Sequence, residues 1–279
     1  MTGQLFVAAT PIGNLSDVSE RLHQVLASAD KVLAEDTRVS SRLLAHLNVR
    51  VDMVSLHEHN EERMAQQVDS WLSAGQILVM ISDAGTPLIS DPGYRAVRAA
   101  RQAGFSVVPV PGPSAITAAL SVAGLATDRF TFHGFLSSRR AERQRQLAEL
   151  GRRAETQVMF ESSHRIDGCI NDAVDQIGSD REAFIAREMT KRFEQYCHGT
   201  LGSLAAQVIS GDIPAKGEFV LIVAGNSQLS ASEAAAMQTV STLLEELPAS
   251  QVARIAAKLT GLGRKQCYAL AMAASQEKG

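Results

Sequence analysis

Ile77-Leu78-Val79-Met80-Ile81 runs directly into Ser82-Asp83-Ala84-Gly85-Thr86-Pro87-Leu88-Ile89-Ser90-Asp91-Pro92-Gly93. The five apolar residues read as a strand buried on both faces, which is the mark of a parallel sheet. The chain then turns through small residues and is expected to enter a helix at Asp91-Pro92, a capping carboxylate with proline at the first helical position. A strand that ends in Asp-Ala-Gly-Thr-Pro presents backbone groups at its carboxyl end, where open α/β sheets hold ligands. A plain strand-to-helix turn needs one Gly or Pro. Here two Gly, two Pro and two Asp fall between Asp83 and Gly93, which points to a ligand loop.

Working outward, the first part alternates strands and helices. Apolar strands are expected at Leu5–Ala9, Val32–Ala34, Asp52–Leu56 and Ser106–Val110, on either side of Ile77–Ile81. Met64, Val68, Trp71 and Leu72 have the spacing of one buried helical face. Pro109-Val110-Pro111-Gly112-Pro113 closes the series, because prolines cannot continue a helix or a central strand. After a helix over Ser114–Gly124, a second series follows. Its strands are expected at Phe130–Phe135, Gln157–Phe160, Ala183–Arg187, Gln195–His198 and Phe219–Ala224, with helices over Arg139–Arg152 and Arg165–Ile177. The later strands crowd together, so this sheet is expected to be mixed. From about Ser227 strands disappear. Ser250 is placed to cap a helix carrying Val252, Ile255, Ala256 and Leu259. Thr260-Gly261-Leu262-Gly263 breaks it and Arg264–Ala274 resumes, which is the spacing of a helix-turn-helix or of a plain helical hairpin. The reading is an α/β chain: a parallel α/β domain over 1–113, a mixed-sheet α/β domain over 114–226 and a helical tail over 227–279.

Composition bounds the function. The chain has 279 residues, 45% hydrophobic and 20% charged, as in an ordinary globular protein with ample core. No apolar run reaches the length of a membrane span, and Met1-Thr2-Gly3-Gln4 lacks the look of a signal segment. Cys169, Cys197 and Cys267 match no zinc spacing, so no metal is expected, and a reduced cytoplasm is the expected home. The net charge of −3 gives no bulk attraction to nucleic acid. Arg139, Arg140, Arg143 and Arg145 nevertheless crowd one helix start, either as a solvated face or as a polyanion footprint.

Chemistry-bearing residues gather at expected strand ends. Thr10-Pro11-Ile12-Gly13-Asn14 follows the first strand without the spaced glycines of a dinucleotide site. Glu35-Asp36-Thr37-Arg38 follows the second, with Asp36 placed to cap a helix. Pro111-Gly112-Pro113-Ser114-Ala115 leads into a helix whose free amides suit a carboxylate. Glu161-Ser162-Ser163-His164-Arg165 and Arg187-Glu188-Met189-Thr190-Lys191 bring acid, base and hydroxyl groups to the ends of later strands, which would face one cleft if those strands are neighbours.

Together with Lys216-Gly217-Glu218-Phe219, these motifs form an ordered series from about Leu5 to Ala224. It closely resembles the bacterial small-subunit rRNA ribose methyltransferases, a branch of the tetrapyrrole (precorrin) methylase superfamily. The resemblance implies two α/β domains, a homodimer, and S-adenosylmethionine as cofactor. It carries cofactor-binding positions onto Pro11, Asp83, Ala84, Gly85, Pro87, Ser114, Ala115, Phe160 and Gly217. It also implies 16S rRNA as partner, within the assembled small subunit, and 2′-O-methylation of cytidine 1402 in the decoding region. The base is not set by the resemblance. Glu188 is the first candidate with Lys191 as its partner, and Glu161, Asp36 and His164 stand behind them. Arg139, Arg140, Arg143 and Arg165 are the candidate RNA contacts. The rivals are carbon methylation of a tetrapyrrole precursor and a non-catalytic RNA-binding assembly factor.

Overall fold

The computed structural model describes residues 3–226 and 231–276. The expected start of the tail at 227, its last residues and the Met1-Thr2 terminus lie outside them. The chain divides into two compact units. The first runs through Val122 and takes in Ala186–Tyr196 and Gly217–Val220; the second holds Ala123–Ile185, Cys197–Lys216 and the chain from Leu221 onward.

The first unit is built on five strands: β1 (Gln4–Ala8), β2 (Lys31–Ala34), β3 (Asp52–Ser55), β4 (Ile77–Ile81) and β5 (Ser106–Val110). Their order is β3-β2-β4-β1-β5, and each named pair is parallel. Helices α1 (Glu20–Ala27), α2 (Thr37–His46), α3 (Glu61–Ser73), α4 (Tyr94–Gln102) and α5 (Ala115–Val122) connect them or follow them. Leu5, Leu33, Leu78 and Met80 pack with Met64, Val68 and Leu72 of α3 in one core layer. Ala8, Val32, Val79 and Ile81 pack with Leu22 and Leu26 of α1 and Leu44 of α2 in another. Adjacent residues of one strand thus feed different layers, which is why the runs are apolar without alternation. Each fully buried Leu or Met contributes about 1.5–3 kcal/mol through area removed from water.

One expected helix start is corrected. Asp91-Pro92 does not open a helix; α4 begins at Tyr94, after Gly93 at φ +127°. Leu88 and Ser90 take positive φ of 72° and 70°, so the chain turns instead of coiling. The cap comes from elsewhere: Glu61 Oε1 of α3 accepts the N–H groups of Gly93 and Arg95, both at 2.9 Å.

The second sheet has β6 (Phe130–Phe135), β7 (Thr156–Ser162), β8 (Glu182–Arg187), β9 (Gln195–Thr200) and β10 (Glu218–Val223), in the order β6-β7-β10-β8-β9. β6 and β7 are parallel, with an irregularity between Phe132 and Phe135. β8 and β9 form a hairpin, closed at its far end by the Leu201 N–H bonding the Arg181 carbonyl at 2.9 Å. The sheet is mixed, as the crowding of its strands leads one to expect. Strands β7 and β8 are not neighbours, however; β10 lies between them, which corrects the condition under which their end loops were placed side by side.

Helices α6 (Arg140–Gly151), α7 (Ile166–Ile177) and α8 (Leu201–Ser210) complete the second series. The tail is three helices, α9 (Ala231–Leu243), α10 (Ala249–Thr260) and α11 (Arg264–Gln276). They share a core of Val240, Val252, Ala253, Ala256, Cys267 and Ala271. Gly261 at φ +73° ends α10 in the left-handed cap that glycine fills without strain. Ser250 is not the cap of α10: the helix starts at Ala249 behind Pro248, with no side-chain capping bond.

Candidate functional site

At the carboxyl edge of the first sheet three turns are tied into one rim. Thr10, after β1, and Gly85, after β4, exchange both backbone hydrogen bonds, at 2.9 and 3.0 Å. The Thr10 hydroxyl also donates to the Ser82 carbonyl at 3.1 Å. Thr86 donates its hydroxyl to the Pro113 carbonyl at 3.2 Å, joining the β4 turn to the β5 turn. Because β1 lies between β4 and β5, the three turns stand side by side. Gly85 at φ +78° and Gly112, where a Cβ would sit 3.1 Å from the Ala9 Cβ, are the positions where this close approach needs glycine.

On this rim Asp83 and Ala84 are exposed, and Pro11, Gly85 and Pro87 are buried beneath them. Asp83 Oδ1 accepts the Asp36 N–H at 3.0 Å. Ser114 and Ala115 stand half-buried at the start of α5, where the Ser114 carbonyl accepts the Ala118 N–H at 3.0 Å. Asp36 caps α2 as its position foretells, accepting the Arg38 N–H at 2.8 Å, and the Arg38 guanidinium holds its carboxyl down at about 2.

The carboxylates beside the rim repel one another. Burial, with Asp91, Asp83, Glu58 and Asp36 nearby, pushes Glu35 up to about 7. Asp91 is pushed up to about 6, by burial first and then Asp83, against a bond from Ser82. Asp83 is raised as well, by burial. Local spacing gives no hint of the Glu35 shift, because the neighbours come from the ends of three different strands.

The loop after β8 adjoins the β1 turn. Glu188 Oε1 accepts the Lys191 ammonium at 2.8 Å and the Glu218 N–H at 3.0 Å, and Lys191 also pairs with Glu218 at 2.9 Å. Two glycines make room for this cluster. A Cβ at Gly13 would lie 2.5 Å from the Lys191 Cγ and 2.8 Å from the Thr190 Oγ1, and one at Gly217 would overlap the Glu188 carboxyl. Gly217, expected as a cofactor contact, therefore also seats Glu188. Burial alone would raise Glu188, but the bonds from Lys191 and from the Glu218 N–H outweigh it and hold the carboxyl below its ordinary range. Lys191 is held above its own, since the two carboxylates outweigh burial. Glu188 and Thr190 both stand at positive φ, 50° and 65°. Each such residue costs on the order of 1–3 kcal/mol and persists where the surroundings over-determine it.

The other candidates belong to the second unit. Phe160 packs edge-to-face on Phe132 and Phe135, with ring centres 4.8 and 5.7 Å apart. Glu161 is buried and pairs with Arg165 at 3.1 Å, and it also accepts the Ser162 N–H. His164 is exposed. Arg139 is exposed, and Arg140 keeps 71% of its side chain in solvent while bonding Asp172 at 3.0 Å. The expectation for Arg143 is corrected. Its side chain is 9% exposed and its Nε donates to Asp172 Oδ2 at 2.8 Å, so its charge faces inward, not toward an RNA. A cavity of about 1490 Å³ lies elsewhere in this unit, beside α9. Its lining sets Arg129, Arg152, Arg153 and Arg181 against Asp128, Glu149, Glu155, Asp180 and Glu182, so it shows no preference for anions.

Comparisons with known proteins agree with this architecture. The family model for tetrapyrrole (corrin/porphyrin) methylases matches residues 4–205, and the model of the RsmI C-terminal HTH domain matches 230–275. A protein of Xylella fastidiosa strain Temecula1 named ribosomal RNA small subunit methyltransferase I is 46% identical over 267 residues, covering 95% of this chain and 98% of its own. One of that name from Escherichia coli O157:H7 is 41% identical over 271 residues, covering 97% of this chain and 95% of its own. Among solved structures, the methyltransferase CobJ aligns with a TM-score of 0.59 at 17% identity, covering 81% of this chain and 95% of its own. The cobalt precorrin-4 methyltransferase CbiF aligns at 0.56 and 20%, covering 80% and 95%. These two share the fold. The chain belongs to the tetrapyrrole (corrin/porphyrin) methylase family and, within it, to the group of relatives named ribosomal RNA small subunit methyltransferase I.

Proposed function

We propose that this chain transfers a methyl group from S-adenosylmethionine to the ribose 2′-oxygen of a cytidine, position 1402 in the decoding region of 16S rRNA. The observation that carries the reading is the rim: three turns on adjacent parallel strands, tied by the Thr10–Gly85 bridge and the Thr86–Pro113 bond. Such an edge is where an open sheet holds a nucleotide-like ligand.

The residues present fit such a donor. Ala84 and the Pro11 and Pro87 turns offer apolar and backbone surface to an adenine. Asp83 keeps Oδ2 clear of any bond among the described residues, suited to a ribose hydroxyl. The first amides of α5, at Ser114-Ala115, face no helical acceptor and suit a carboxylate. When bound, S-adenosylmethionine supplies a methyl group activated by a sulfonium leaving group. Gly217 completes the proposed contacts within the first unit, and Phe160 is carried as a donor contact by the resemblance alone.

Glu188 then orients the acceptor. Its Oε1 is fixed by Lys191 and the Glu218 N–H, which leaves Oε2 for the ribose hydroxyl. A carboxylate held below its ordinary range is a weak base at rest. The attacking oxygen becomes strongly acidic as its bond to carbon forms, so Glu188 Oε2 takes the proton late in the transfer. Holding the two reactants in line supplies the larger share of the rate. In the second unit Glu161 holds Arg165 through their ion pair. RNA is met by Arg139, Arg140 and Arg165 and by the helical tail.

The boundaries 1–113, 114–226 and 227–279, a homodimer acting on the assembled small subunit, and residence in the cytoplasm with the ribosome belong to the same reading. Among the described residues no helix is long and apolar enough to cross a membrane. The test is mass spectrometry of 16S rRNA from cells lacking the chain, followed by transfer of labelled methyl to their small subunits by the purified protein. Loss of one ribose methyl at the cytidine, restored in the tube, is the expected result. An unchanged nucleotide would overturn the proposal.

A further inference from the structure

Tyr268 and Met272 stand open to solvent on α11, with 46% and 40% of their surface exposed. Neither is among the side chains that build the core of the tail helices. Cys267 and Ala271 of the same helix are buried in that core, so α11 has an inner face that packs and an outer face that does not. Arg264 lies one turn before Tyr268 and Met272 one turn after it, and Lys265 lies three residues before Tyr268. Side chains at these spacings are neighbours on one helical face, and both cations are exposed. The outer face therefore presents two cations, an aromatic ring and a thioether together.

The charge on this surface is one-sided. Helices α10 and α11 carry Arg254, Lys258, Arg264 and Lys265 without a carboxylate. Arg254 and Lys258 stand four residues apart on α10, a like-charge pair that weakens a helix. Such a surface suits a polyanion. The ring decides which form of RNA it suits. An A-form duplex keeps its base edges in a deep, narrow major groove that side chains cannot read, and its base faces are stacked on one another. An unpaired base offers a free face, and every base has one, so an exposed tyrosine beside an arginine is matched to a single strand.

We propose that the outer face of α11 binds an unpaired RNA segment: a base stacks on the Tyr268 ring while Arg264 and Lys265 hold the phosphates beside it. This rests on the reading that RNA is the substrate, and it adds the state of the strand and the residue that grips the base. Met272 extends the platform with a flexible, polarisable surface.

The test is binding of the full-length chain to a single-stranded decoding-region RNA and to the same sequence in a duplex, across a salt series. The proteins are the wild type, Y268L, Y268F and the R264Q/K265Q double variant. Y268L keeps an apolar side chain and a good helix former but loses the ring. Its Kd for the single strand should rise roughly tenfold, the scale of one stacked base, with the salt slope unchanged and duplex binding within about twofold. Y268F should bind as the wild type does. R264Q/K265Q should weaken binding and flatten the slope by about 1.4 in log K against log salt, the share of two single-strand phosphate contacts. Sedimentation without RNA asks whether the face joins a second copy instead. A changed oligomeric state in Y268L overturns the proposal, as does a Y268L protein that binds the single strand like the wild type or loses duplex affinity equally. A wild type that binds no RNA overturns this contact and the substrate reading together, whereas a failure confined to Tyr268 leaves that reading intact, so the two are distinguishable.

Discussion

Glu188 and Glu35 are carboxylates of the same unit driven in opposite directions. Glu188 is fixed by two donors on one oxygen and stays charged. Its replacement by Gln keeps the size and removes both the charge that holds Lys191 and the proton acceptor. We expect donor binding by calorimetry to be unchanged and single-turnover methyl transfer to slow at least tenfold; a full rate would remove Glu188 from the chemistry. Glu35 is raised from 4.5 to about 7 by burial and its acidic neighbours. The folded state therefore keeps a proton that the unfolded chain releases, and stability falls as pH rises from about 4.5 to about 7. Glu35→Gln removes this cost. Unfolding midpoints should be higher than wild type at pH 8 and level with it at pH 4, and an equal shift at both pH values would show that charge is not the cause.

Between elements, the tie that matters most in the second unit joins α6 to α7. Asp172 is buried at 1% side-chain exposure and receives Arg143, Arg140 and Gln144. Burial would raise its carboxyl, but these donors hold it below its ordinary range. Asp172→Ala leaves the Arg143 guanidinium buried without its partner, a loss of about 3–5 kcal/mol, to be read as a lower denaturant midpoint. A change under about 1 kcal/mol would mean that water or Glu161 takes the charge over. From sequence, the Arg139–Arg145 run reads as one basic face, because Asp172 is 29 residues beyond Arg143. The same limit hides the cap of α4, supplied by Glu61 from 32 residues upstream, and the partnership of Glu188 with Gly217. The strands were legible because Ile77–Ile81 and its neighbours are buried on both faces, and Asp36 was legible because it caps its own helix. Local rules reach what a residue does to its own turn. They do not reach which distant side chain completes it.

At the scale of the whole molecule, a net charge of −3 must still be reconciled with an RNA substrate. The reconciliation lies in distribution: α10 and α11, Ala249–Gln276, carry Arg254, Lys258, Arg264 and Lys265 and no Asp or Glu. All four basic residues are exposed, while Val252, Ala256, Cys267 and Ala271 face the core that the three tail helices share. The tail thus holds its own hydrophobic core, and its α10 and α11 present one sign of charge, whereas the donor rim belongs to the first unit. Ending the chain after Asn226 should leave S-adenosylmethionine affinity within about twofold. RNA binding should weaken, and its salt dependence should become shallower by about 3 in log K against log salt, the share of four single-strand phosphate contacts. The measurement is binding of a decoding-region RNA between 50 and 200 mM salt, for full-length and shortened chains. An unchanged slope would place the RNA contacts on Arg139, Arg140 and Arg165 without the tail, and lost donor binding would show that the rim depends on the tail for its fold.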